Sequence, residues 1–91
     1  MMRMIFKIKN YKILEFEIDK ELKKLRNINV CDKLLAEEVL KGHKRVTAAI
    51  VEEVLRGYME TDKNLSDIVA HIKKNGFYSP YQPALDIIIE D

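Results

Sequence analysis

The amino-acid sequence predicts an α+β fold: an N-terminal antiparallel β-hairpin, which a C-terminal strand can complete, packed against three to four helices. Three observations carry this. Residues up to about 18 alternate apolar and polar side chains with the period of half-buried strands. The middle of the chain repeats apolar residues at helical spacing between capping and stopping residues, and the last residues return to a β-branched run, "ALDIII".

In "MRMIFKIKN" Met4, Phe6 and Ile8 alternate with Ile5, Lys7 and Lys9, and in "ILEFEID" Leu14, Phe16 and Ile18 alternate with Glu15, Glu17 and Asp19. Placing Ile8 opposite Leu14, Phe6 opposite Phe16 and Met4 opposite Ile18 unites these apolar residues on one face and leaves Asn10-Tyr11-Lys12 as the loop. The same register sets Lys7 opposite Glu15 and Arg3 opposite Asp19, so apolar and charge patterns agree.

Asp19 can cap a short helix, "KELKKLR", over residues 20–26, and "NINVCD" reads as a break. Asp32 can then cap "KLLAEEVLK", which stops at Gly42. "HKRVTAAIVEEVLRGYME" is the longest predicted helix, with Val46, Ile50, Val54 and Tyr58 on one row and Val51, Leu55 and Met59 beside it. That stripe is wider than a surface helix needs, so the helix either lies centrally or gives part of its stripe to a partner. Asn64 followed by Asp67 opens "LSDIVAHIKKN", which buries Leu65, Ile68, Val69 and Ile72 and stops at Gly76. Pro80 and Pro83 forbid a regular element after it. The run "ALDIII" favours a strand that makes the hairpin three-stranded, over a last helix starting at Pro83.

The 91 residues make a single domain, 1–91. A chain this short has a net stability of a few kcal/mol, to which a homodimer interface would add. With 47% hydrophobic and 34% charged residues it should fold, and no apolar stretch approaches the roughly 20 residues of a membrane span. The expectation is a soluble cytoplasmic protein without a membrane contact. A single cysteine, Cys31, rules out an intramolecular disulfide, and His43 and His71 lie too far from it in sequence for metal-ligand spacing, so neither metal nor cofactor is expected. The net charge of +1 divides into +4 over residues 1–26 and −3 over the remainder.

No catalytic constellation emerges, and the chain is not expected to be an enzyme. His71 has Asp67 one helical turn before it but no nucleophile placed beside it, and the acids in Glu37-Glu38 and Glu52-Glu53 diverge on their helices. Gly42, Gly57 and Gly76 are isolated, so no phosphate loop exists. The strongest charged feature is "KGHKR": Lys41, His43, Lys44 and Arg45 gather where the longest helix is predicted to begin, a plausible phosphate contact. With Arg3, Lys7 and Lys9 on a neighbouring face, it would suit a dimeric nucleic-acid-binding regulator.

The stretch "RVTAAIVEEVLRGYME", less than a fifth of the chain, resembles the second helix of ribbon-helix-helix repressors and antitoxins. That resemblance would give Glu15 and Glu17 the base-reading role of outward strand residues and the Lys44-Arg45 end the phosphate grip. The chain departs from the pattern in placing two acids on the reading face, in its longer segment between strand and helix, and in its additional N-terminal strand. The segment "NGFYSPYQP" offers Phe77, Tyr78 and Tyr81 either as a protein contact preorganised by prolines or as filling between the last helix and the sheet. The first expectation is a small non-enzymatic protein-interaction module, a regulator, inhibitor or antitoxin-like partner, using the long helix or the 77–83 loop. The alternative is the nucleic-acid-binding regulator.

Overall fold

The computed structural model describes residues 2–19, 21 and 24–91. They form a four-stranded antiparallel sheet and three helices, in the chain order β1 (Met2–Ile8), β2 (Tyr11–Ile18), β3 (Leu25–Val30), α1 (Lys33–Val39), α2 (Ala48–Met59), α3 (Leu65–Asn75) and β4 (Leu85–Glu90). The order across the sheet is β3-β2-β1-β4. The α+β class is as predicted, and the C-terminal residues form a strand rather than a helix. The sheet has one strand more than expected.

That extra strand is β3. Of the helix expected over 20–26, residues 20, 22 and 23 lie outside the described residues, while Leu25 and Arg26 belong to β3. The expected break "NINVCD" is mostly strand too, and it pairs Val30 with Leu14 and Asn29 with Glu15. The ladder is irregular between Glu15 and Glu17, and Asn27 takes φ 54, a left-handed conformation that asparagine tolerates at a bulge. This irregularity is what hides the strand, since it breaks the strict alternation by which strands are recognised.

The β1–β2 register also differs from the expected one. Met4 pairs with Phe16, Phe6 with Leu14 and Met2 with Ile18, a slip of two residues that keeps the apolar set on one face. The turn is Lys9-Asn10, with Lys9 at φ 56. Ile13 is the extra residue of a bulge in β2, fully buried, and its carbonyl accepts the N–H groups of Cys31 and Asp32 at 2.8 and 3.0 Å. The expected charge pairs change accordingly. Lys7 faces Lys12, and Arg3 reaches Glu15 at 3.3 Å.

Because side chains alternate along a strand, Met4, Phe6, Leu14, Phe16, Ile18 and Ile87 point to one face and join the core, with Phe6 edge-on to Phe16 at 5.6 Å. All three helices supply buried residues to that same core, so they cover one face of the sheet. Helix α2 uses its wide stripe internally: Val51, Val54, Leu55 and Tyr58 are buried, and Val46, Ile50 and Met59 pack against the core half-buried. Little of the stripe is left for a partner.

The cap residues set the helix bounds. Asp32 Oδ1 accepts from Leu35 N, and Asn64 Oδ1 accepts from Asp67 N, as expected. Helix α2, however, begins at Ala48, not His43, because Thr47 Oγ1 accepts from Ile50 N. Thr47→Ala should therefore lower stability by about 1 kcal/mol in urea unfolding. A helix starting at His43 would make the same substitution neutral or stabilising. Phe16→Ala should cost about 3–5 kcal/mol in the same measurement, as a large cavity opens at the centre of the core.

Candidate functional site

The loop over 76–84 carries the aromatic residues singled out in the sequence, and it is held at several points. Helix α3 ends where Gly76 adopts φ 79 and donates its N–H to Ile72 O at 2.8 Å. Phe77 then turns inward and stands edge-on to Tyr58 of α2, with ring centroids 6.4 Å apart. Ser79 is fully buried, and its hydroxyl accepts the N–H of Tyr81 at 3.3 Å while its carbonyl accepts that of Gln82. Leu85 N closes the loop onto Gln82 O. Phe77 thus packs half-buried against the core beside α2. Tyr78 and Tyr81 do not, being 71% and 62% exposed.

Tyr81 is nevertheless fixed. Its hydroxyl donates to Glu60 Oε1 at 2.6 Å, just past the end of α2. Glu60 itself sits at φ 52, a left-handed conformation costing a non-glycine residue of order 1 kcal/mol. The bond to Glu60, together with repulsion from its charge, raises the Tyr81 phenol above its ordinary value, so Tyr81 remains a donor at neutral pH.

The basic segment lies beside the same helix but differs from its expected form. Lys41 and Gly42 are both left-handed, at φ 57 and φ 86, and their N–H groups cap α1 by donating to Glu38 O and Glu37 O. The Lys41 ammonium sits 4.9 Å from the centroid of Tyr58, a ring that also contacts Phe77. Tyr58 OH donates to the carbonyl of Val39 in α1. Tyr58 therefore joins the basic segment to the aromatic loop, a link its sequence position gave only as one more apolar site on α2. Because Thr47 is the cap of α2, His43, Lys44 and Arg45 are exposed connector residues and not the helix's first turn.

Arg3 and Lys7 lie elsewhere. Alternating with buried Met4 and Phe6, they face away from the helices, while residues 41–45 belong to the helical layer. Lys9 is in the β1–β2 turn. The uncovered sheet face is crossed by charge of both signs: Glu90, Arg3, Glu17 and Arg26 follow one another across β4, β1, β2 and β3. Glu15 is its hub, with Arg3 and Lys12 each at 3.3 Å, Asn29 Nδ2 at 3.4 Å and the Cys31 thiol at 3.9 Å. Asn27 donates to Glu17 nearby. Burial pushes the Glu15 carboxyl up, but hydrogen bonds from Lys12 and Asn29 and the charges of Lys12 and Arg3 outweigh it and hold it below the ordinary glutamate value.

His71 and Asp67 border a shallow groove with Met59, Glu60 and Lys63, and the His71 ring lies 3.4 Å from Asn75 Nδ2. Among the described residues no group of three His, Cys, Asp or Glu side chains is placed to hold a metal ion, and no helix is long and apolar enough to cross a membrane. Comparison of the chain with protein-family models, curated proteins and solved structures finds no match.

Two outcomes follow from this geometry. Glu60→Gln should lower the titration of Tyr81, read as phenolate absorbance against pH, with Tyr81→Phe identifying which of the four tyrosines moved. Glu15, whose folded pKa is depressed, contributes stability in full above the ordinary glutamate value of about 4.3 and loses it as pH falls toward its folded value. Glu15→Gln should therefore flatten the loss of thermal stability on acidification, measured between about pH 6 and pH 2.

Proposed function

We propose that this protein is a small non-enzymatic interaction module, acting as a regulator, inhibitor or antitoxin-like partner, whose 77–83 loop contacts another protein. One observation carries the reading. Two tyrosines expose most of their rings on a loop whose flanking residues, Phe77 and Ser79, are tied into the fold. A ring held out on a fixed backbone loses little conformational freedom when a partner covers it, and tyrosine is enriched among residues that dominate binding energy. The half-buried long helix offers no comparable surface.

The alternative, a dimeric nucleic-acid-binding regulator, draws less support. It needs the basic first strand and the 41–45 segment on one side, and they lie on opposite layers. On the strand side Arg3 is already paired with Glu15, in the row where Glu17 and Glu90 flank it.

The test is a pull-down from the source cell lysate with wild type, Tyr78→Ala and Tyr81→Ala, followed by titration of the purified captured protein. Each substitution should weaken that complex by about tenfold or more while leaving the thermal midpoint nearly unchanged. A captured protein that binds the two variants as tightly as wild type would remove the loop from the interface. Anisotropy of labelled duplex and single-stranded DNA and RNA, at about 50 and 200 mM salt, checks the alternative. Micromolar binding that weakens steeply with salt and on Lys44→Ala/Arg45→Ala would favour it instead.

A further inference from the structure

A second surface lies where the edge strand β3 meets the connector between α1 and α2. Val30, Ala36 and Val46 form the floor of a groove of ≈ 370 Å³, and Lys33, His43 and Lys44, with the single carboxylate Glu37, form its rim. Val30 is 37% exposed at the end of its strand, and Leu34, next to Lys33 on α1, is 80% exposed. Fewer of the cations here are paired than on the sheet face, where Lys7 alone of those on the strands lacks a carboxylate within 4 Å among the described residues. On the sheet, Arg3, Lys12 and Arg26 each lie within 4 Å of a carboxylate. Around the groove, Lys33, His43, Lys44 and Arg45 have no carboxylate within that reach among the described residues.

We infer that this groove docks an acidic amphipathic segment of a partner protein, with aliphatic side chains on Val30 and Val46 and carboxylates toward Lys33 and Lys44. The apolar floor supplies burial, and the unpaired rim cations supply attraction and orientation. A phosphate backbone would leave the floor unused and would find no aromatic side chain in the lining on which a base could stack. A second copy of the chain is a poor occupant. Its acidic aliphatic segments in β2, α2 and β4 have Leu14, Val51, Leu55, Leu85 and Ile87 buried in their own core.

This site is independent of the tyrosine loop, so the two readings fail separately. The experiment is selection of randomised peptides of about twelve residues, long enough for three helical turns, displayed on phage against the full-length protein. Selected peptides should combine Asp or Glu with Leu, Ile or Val, and synthetic copies should bind in fluorescence anisotropy. Lys33→Glu/Lys44→Glu, two exposed positions, should weaken them by about tenfold or more with the thermal midpoint unchanged. Val46→Asp should weaken them comparably, and Tyr78→Ala should leave them bound. The inference is overturned if no peptide is enriched, if the selected peptides lack acids, or if the lysine reversals leave affinity intact. Tighter binding of duplex DNA than of the peptides, lost on lysine reversal, would also overturn it in favour of a phosphate ligand. Concentration-dependent dimerisation in sedimentation, abolished by the same reversals, would assign the groove to a second copy.

Discussion

The fold depends on β1 being an inner strand. It has β2 on one edge and β4 on the other, so its backbone groups are paired on both sides, and Met4 and Phe6 are driven wholly into the core. Only that face of the sheet is continuously apolar. Every helix must therefore pack there, and α2 is drawn to the centre with its broad stripe consumed. The need to bring the last strand back to the first also fixes the 76–84 loop, which must run from the end of α3 to the start of β4, both packed on the core. Its exposed tyrosines are held out by this constraint.

Much of this was legible in the sequence, and the exceptions have identifiable causes. The caps Asp32 and Asn64, the stop at Gly76 and the final strand were readable because each rests on local chemistry within a few residues. The register was displaced by two residues because the bulge at Ile13 inserts a residue that period-two counting cannot detect. Asn27 concealed β3 in the same way, since a left-handed residue ends the alternation without ending the strand. Helix α2 starts later than propensity predicts, because Lys44 and Arg45 are good helix formers while the decisive interaction is the bond from Ile50 N to Thr47 Oγ1.

The candidate site was legible only in its parts. Phe77, Tyr78 and Tyr81 stood out by composition, but nothing in the chain order linked Tyr81 to Glu60 or Phe77 to Tyr58. Those contacts join residues 21 and 19 positions apart, between α2 and segments packed on it, and they arise from tertiary packing. The basic segment likewise stood out as a charge run while its partner Tyr58 did not. Lys41 is consequently tied to the fold through the ring beneath it, whereas Lys44 and Arg45 beyond it are exposed and have no carboxylate within 4 Å among the described residues.

The contrast between the two sides of the molecule bears most directly on how it can bind. On the sheet face, cations and carboxylates alternate across four strands and neutralise one another, so an incoming charged ligand would have to displace existing pairs for little gain. On the helical side Lys33, His43 and Lys44 border an apolar groove with one carboxylate, Glu37, in its lining, and tyrosine rings project from a loop. A partner there would replace water without first breaking protein contacts, apart from the single bond of Tyr81 to Glu60. The proposed contacts rest on differences of this kind rather than on total charge, and these favour the helical side over the strands that open the chain.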